Sequence, residues 1–167
     1  MTSSHVLFQM TQEQKAFMQM AIDLSRTGMN SNMGGPFGCV IVKDGKVIGS
    51  GSNAVLSTND PTAHAEIVAI RNACQTIGDF QLDGCELYTS CEPCPMCLGA
   101  IYWARPDRVF YANTKKDAAK AGFDDQFIYE ELELPYHKRK IPFIQGMRED
   151  AEKVFQEWIL KENKTLY

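Results

Sequence analysis

Apolar residues recur along this chain at two spacings, and the changes between them mark out its elements. Thr11-Gln12-Glu13-Gln14 has the form of a capping box, and behind it Phe17, Met20, Ala21 and Leu24 fall on one helical face. Gly28 predicts the end of that helix, and the Gly- and Asn-containing stretch to Pro36 reads as a loop. Asp44-Gly45, flanked by Phe37 to Lys43 and Lys46 to Gly51, predicts a β-hairpin. Asp60-Pro61 predicts a helix start, with Asp60 as cap and Pro61 in the first helical position. Ala63, Ile67, Ile70 and Cys74 would form its apolar stripe. Cys85 to Ser90 reads as a strand, Cys94 to Arg105 as a helix stopped by Pro106, and Arg108 to Ala112 as a further strand. A helix around Lys115 to Ala121, a turn at Gly122, a short helix near Phe127, a strand near Ile141 to Gly146 and a helix from Glu149 complete the order. Elements alternating in this way point to a sheet sandwiched between helices.

The composition fits one ordinary globular domain over the 167 residues, 44% hydrophobic and 23% charged. A net charge of −4 argues against a nucleic-acid partner, since proteins that grip a phosphate backbone carry a basic face. Lys138-Arg139-Lys140 is the one dense basic cluster and reads as a solvated loop. No apolar run reaches the length of a membrane span, and Met1 to Met10 lacks a charged-then-apolar signal pattern. The expectation is therefore a cytoplasmic protein with no membrane association. Its six cysteines are then expected as reduced thiols and metal ligands rather than disulfides.

The chemistry gathers at His64-Ala65-Glu66 and Pro93-Cys94-Pro95-Met96-Cys97. Together they offer three metal ligands, His64, Cys94 and Cys97, and one further carboxylate, Glu66. Three protein ligands leave a zinc ion a position for water, as catalytic sites do. Cys94 and Cys97 would share the first turn of a helix, where the positive end of the dipole favours thiolates. Pro95 suits that turn because its first position has no use for an N–H. Helical positions i and i+2 face different ways, so His64 and Glu66 can share a site only at a helix end. Cys91, Cys94 and Cys97 also resemble the start of an iron–sulfur run, but the place of the fourth cysteine is taken by Ile101. A closed structural zinc could draw on Cys91, Cys39, Cys74, Cys85, His5 or His137, and no spacing singles one out. Cys39, Cys74 and Cys85 read as small buried residues, and His5 and His137 as surface residues. The glycines before Pro36 lack the following Lys-Ser or Lys-Thr of a phosphate loop.

At these residues the sequence resembles the cytidine-deaminase-like superfamily and, within it, the bacterial guanine deaminases. The resemblance runs through Gly34-Gly35-Pro36-Phe37-Gly38, Asn59 to Glu66, Thr89 to Arg105 and Ala121-Gly122-Phe123-Asp124-Asp125 to Tyr167, nearly the whole chain. Position 39 is Cys39 where that family is expected to carry Ala. The resemblance implies an α/β fold, a three-layer α/β/α sandwich around a mixed five-stranded sheet, and a homodimer that exchanges C-terminal segments. It implies one Zn2+ per chain on His64, Cys94 and Cys97, with Glu66 moving protons and Asp125 protonating the departing amino group. Phe37, Asn53, Ala65, Trp103 and Tyr167 would bind a small-molecule purine base, and the reaction would be hydrolytic deamination of guanine to xanthine and ammonia, a step of purine catabolism or salvage. Read alone, Asn53 is equally a loop residue, Phe37 and Trp103 are core, Asp124-Asp125 is a helix cap and Tyr167 is a chain end. Two other functions stand beside this one. A tRNA adenosine deaminase shares the metal motifs but must bind folded RNA, and a non-catalytic zinc-stabilised binding module would not need Glu66.

Overall fold

The computed structural model of the chain describes residues 9–123 and 125–166. They form two compact units, divided at Asp125.

The first unit begins with α1 (Gln12–Asn30), whose capping box is complete: Thr11 and Gln14 each accept from the other's backbone N–H. The hairpin follows as β1 (Gly38–Lys43) and β2 (Lys46–Ser52), with Lys43 opposite Lys46. Asp44 and Gly45 have φ of 50° and 71°, so both central residues take the left-handed conformation that a tight hairpin turn requires. A short helix, α2 (Val55–Thr58), leads to α3 (Ala65–Ile77), β3 (Cys85–Cys91), α4 (Pro95–Ala104), β4 (Arg108–Asn113) and α5 (Lys115–Lys120). The strands form one mixed sheet in the order β2-β1-β3-β4, antiparallel except for the parallel pair β3 and β4.

Alternation along β1 explains the layering. Cys39 and Ile41 point to one face and pack with Ala65, Ala69 and Ala73 of α3 and Ile101 and Ala104 of α4. Val40 and Val42 point to the other and pack with Met18 and Ala21 of α1 and with Tyr88. Helices therefore cover both faces of the sheet.

The contact between β2 and α3 is closer than side chains allow. A Cβ at Gly49 would lie 2.6 Å from both the Ala69 carbonyl oxygen and the Ala73 nitrogen, and one at Gly51 would lie 2.7 Å from the Ala65 carbonyl oxygen. The glycines let the helix backbone rest on the strand, and Ala65, Ala69 and Ala73, one every fourth residue, keep the helix side of that contact small. This seam sets the position of the start of α3.

Several expectations are corrected. Met20 is 44% exposed, and Met18 occupies the core instead. The first helix runs past Gly28 to Asn30, with Gly28 buried against Ser52. Asp60 does not cap a helix: its Oδ1 accepts from Thr62 N–H at 2.8 Å and Thr62 Oγ1 at 2.7 Å, and α3 starts only at Ala65.

The second unit holds α6 (Gln126–Glu133), a short 3-10 helix (Tyr136–Lys138) and α7 (Arg148–Leu160). The strand expected near Ile141 to Gly146 is not formed, so the sheet has four strands among the described residues, not five. Pro142 has no N–H to give a ladder. Nearby side chains instead make a local stack, with the Arg139 guanidinium 4.5 Å from the Tyr136 ring and 5.1 Å from the Phe143 ring. Among the described residues no helix is long and apolar enough to cross a membrane.

Candidate metal centre and active site

The two halves of the metal motif arrive at the starts of α3 and α4. His64 is the N-cap of α3, with φ −68° and ψ 156°, while Glu66 is already helical. Because His64 lies outside the helix, the i, i+2 spacing does not separate them. His64 Nδ1 and Glu66 Oε2 lie 3.5 Å and 3.4 Å from the same atom, Cys97 Sγ. Cys94 is the N-cap of α4, Pro95 follows in the first turn, and Cys97 N–H donates to Cys94 Sγ at 3.5 Å.

His64 Nδ1 is also 3.5 Å from Cys94 Sγ, and the ligand atoms of the three residues all lie within 4.8 Å of one another. Zinc bonds of about 2.0–2.1 Å to nitrogen and 2.3 Å to sulfur, at a tetrahedral angle, separate N from S by about 3.5 Å. The donor set and its spacing therefore fit zinc. Among the described residues no fourth His, Cys, Asp or Glu joins this group. Cys91 Sγ faces the Thr114 carbonyl at 3.7 Å, Cys39 and Cys85 are core residues, Cys74 packs beside them, and His137 is exposed. His5 lies outside the described residues.

The electrostatics match this chemistry. Hydrogen bonding from Cys97, helped by His64, draws the Cys94 thiol down to about 4 against the effect of burial. Cys97 is pushed up by its bond to Cys94, by burial and by Glu66. A zinc ion would need both sulfurs as thiolates, so its binding would release any proton they hold. Burial raises the carboxyl of Glu66, opposed by its own backbone N–H and by Cys97 and Thr89.

The remaining expected residues are distributed unevenly. Asn53 is buried, and its Oδ1 accepts from Gly35 N–H at 3.3 Å and Val55 N–H at 3.2 Å. Its acceptor is committed to shaping the loop, so its NH2 is the part suited to a ligand. That loop passes so close that a Cβ at Gly34 would sit 2.0 Å from Asn53 Oδ1. Phe37 packs on the core and meets Phe123 edge to face, ring centres 4.9 Å apart. Ala65 is fully buried as the first residue of α3. Trp103 is 64% exposed on α4, so the core reading of that residue is corrected. Asp125 precedes α6 in the second unit and makes no capping bond with its side chain. Asp124 and Tyr167 lie outside the described residues.

Two residues that lie in the quoted motifs were not read as site residues from the sequence. Phe123 borders Phe37, and Thr89, 1% exposed, donates from Oγ1 to Glu66 Oε1 at 3.1 Å. Thr89 had a readable signal: it lies two residues beyond Leu87, so it shares that residue's inward face. A hydroxyl there needs a partner.

Residues 11–113 match the cytidine and deoxycytidylate deaminase zinc-binding region. The chain belongs to the cytidine and deoxycytidylate deaminase family. Among relatives in this family, the guanine deaminase of Bacillus subtilis (strain 168) is 56% identical over 153 residues, 92% of this chain and 98% of that one. A solved structure of guanine deaminase from Bacillus subtilis superposes with a TM-score of 0.90 at 55% identity, covering 95% and 99% of the two chains. A tRNA-specific adenosine deaminase of Agrobacterium fabrum (strain C58) is 41% identical over 113 residues, 66% of this chain and 73% of that one. Zinc deaminases pair a His/Cys/Cys metal site with a carboxylate that is not a ligand, and the cluster of His64, Cys94 and Cys97 beside Glu66 offers groups of those kinds.

Proposed function

We propose that this chain is a zinc-dependent guanine deaminase, releasing ammonia from guanine to leave xanthine. The observation that carries the reading is Glu66, a buried carboxylate outside the ligand set whose Oε2 lies against it. A purely structural zinc site has no use for such a group, which counts against a binding module. The choice of guanine is supported by 56% identity that spans nearly both full lengths, second unit included. The match to the tRNA-editing relative covers a smaller share of the chain, and the net charge of −4 does not suit a folded RNA.

His64, Cys94 and Cys97 would hold the zinc, one ion per chain. When bound, zinc supplies a Lewis acid and lowers the pKa of a water to about 7. Glu66 accepts a proton from the attacking water as oxygen adds to C2 of guanine, and delivers it to the ring nitrogen. Asp125 protonates the departing amino group, the C2–N bond breaks and ammonia leaves, and as the C2 carbonyl of xanthine forms its hydroxyl gives up the proton that restores the acid. Phe37 would stack on the base, the Asn53 NH2 would donate to its polar edge, and the Ala65 N–H, free of an intrahelical acceptor in the first turn, would be a further donor. Trp103 and Tyr167 would complete the enclosure. For both, closure would come with assembly: we read the chain as a homodimer exchanging its second units. The exposed apolar side chains of α7, among them Phe155, Ile159 and Leu160, support that reading, because exchange would cover them.

The test is ammonia release from zinc-loaded protein on guanine, guanosine, adenine, cytosine and a tRNA anticodon stem-loop, with Glu66→Ala as the blank. Turnover of guanine far above the rest is expected. Activity on RNA alone would move the function to tRNA editing, and silence on all five with one zinc bound would leave a binding module. Light scattering checks the dimer.

A further inference from the structure

The two oxygens of Glu66 keep different company. Oε1 accepts from the Thr89 hydroxyl at 3.1 Å, and Oε2 lies 3.4 Å from Cys97 Sγ. Thr89 is inside β3, paired with Cys39 of β1 on one side and Tyr111 of β4 on the other. Both neighbouring strands hold its backbone, and branching at Cβ restricts its side chain to few rotamers. A hydroxyl buried this deeply keeps its protein partner, because no water replaces it. Glu66, by contrast, is the second residue of a helix and has a long side chain with several rotamers open to it.

We infer that Thr89 is a positioning residue for Glu66. Its hydroxyl ties Oε1 to the sheet and so turns Oε2, the oxygen beside the metal ligands, into the one that moves protons. The chemistry of this role rests on the deaminase reading; the orientation does not. A threonine that merely fills its place in the strand would be replaced by valine, its near-isostere, without consequence for Glu66.

The test uses the zinc-loaded full chain with Thr89→Val and Thr89→Ser. Thr89→Val is expected to keep one zinc per chain and a KM for guanine within about threefold, while kcat falls about 10- to 100-fold. Thr89→Ser, which keeps the hydroxyl, should stay within about fivefold of the parent. In a Glu66→Gln background, Thr89→Val should change the residual rate by less than about twofold, since the oxygen it orients is already disabled. A crystal structure of Thr89→Val should show the Glu66 carboxylate turned from its parent position. An unchanged kcat, an equal loss in both backgrounds, or an unmoved carboxylate would each overturn the assignment. If Thr89→Val does not fold, Thr89→Ala carries the same expectations. A parent enzyme inactive on guanine would defeat the substrate reading alone, and the carboxylate's orientation in the variant would still decide the role of Thr89.

Discussion

The stretch up to Ala104 and the stretch after it are built on different terms. The first contains every buried residue among those described, in two core clusters on the two faces of the sheet, and it carries the candidate metal ligands at two helix starts. Beyond Ala104 no described residue is buried, and α7 leaves Val154, Phe155, Ile159 and Leu160 more than half exposed. The first stretch therefore supports its own geometry, and each site residue in it can be understood from its neighbours. Asp125 belongs to the second stretch, where its side chain does not cap the helix that follows. The difference teaches that the cluster of His64, Cys94 and Cys97 is positioned by the packed part of the fold, whereas any role of the tail in the site would, on the reading proposed above, have to come with assembly.

The comparison breaks first if the metal cluster is dispensable. His64→Ala should drop zinc below about a tenth of an ion per chain and abolish turnover, measured by metal analysis beside ammonia release. Retention of one zinc would sink the ligand assignment. Glu66→Ala should keep its zinc yet lose about 10²- to 10⁴-fold in rate, and activity within about tenfold of the parent would rule out proton transfer. For the second stretch, Asp125→Ala should lower kcat about 10- to 100-fold with little change in KM, and a pure KM effect would make it a substrate contact. Deleting Tyr167 should impair turnover with the Tm unchanged; identical kinetics would remove the tail from the site. The smallest effect is on stability. Gly51→Ala should cost about 1–3 kcal/mol in urea unfolding by forcing β2 and α3 apart, whereas Leu160→Ala should cost under about 0.5 kcal/mol in a monomeric sample. A larger cost at Leu160 in the monomer would mean the tail has a core of its own.

How far the sequence could be read follows the same division. The hairpin was legible because Asp44-Gly45 acts locally, and the first capping box for the same reason. The clustering of His64, Cys94 and Cys97 was legible because their spacing along the chain is that of a metal motif. The start of α3 was misplaced because Asp60 and Pro61 look like a cap and first turn, while the carboxylate of Asp60 is consumed by Thr62. Of the stripe Ala63, Ile67, Ile70 and Cys74, Ile70 and Cys74 do pack against the core, but the centre of the inner face is Ala65, Ala69 and Ala73, because small residues rather than large ones were wanted against Gly49 and Gly51. Periodicity finds apolar bulk, and a backbone-to-backbone contact has none. The fifth strand failed where Pro142 and a local aromatic and guanidinium stack replaced a ladder. The inward face of Thr89 was legible but its partner was not, and the same holds for the pairing of Phe123, because the partners lie 23 and 86 residues away in sequence.

The glycine seam also sets how this protein could be evolved toward other amino-heterocycles. Trp103 and Phe123 are 64% and 42% exposed, so a library can vary volume and hydrogen bonding there while His64, Cys94 and Cys97 stay put. Gly49 and Gly51 allow no such freedom, for any side chain there would push the start of α3, and with it His64 and Glu66, off the sheet. Survivors of selection should therefore be diverse at the first pair of positions and almost all glycine at the second.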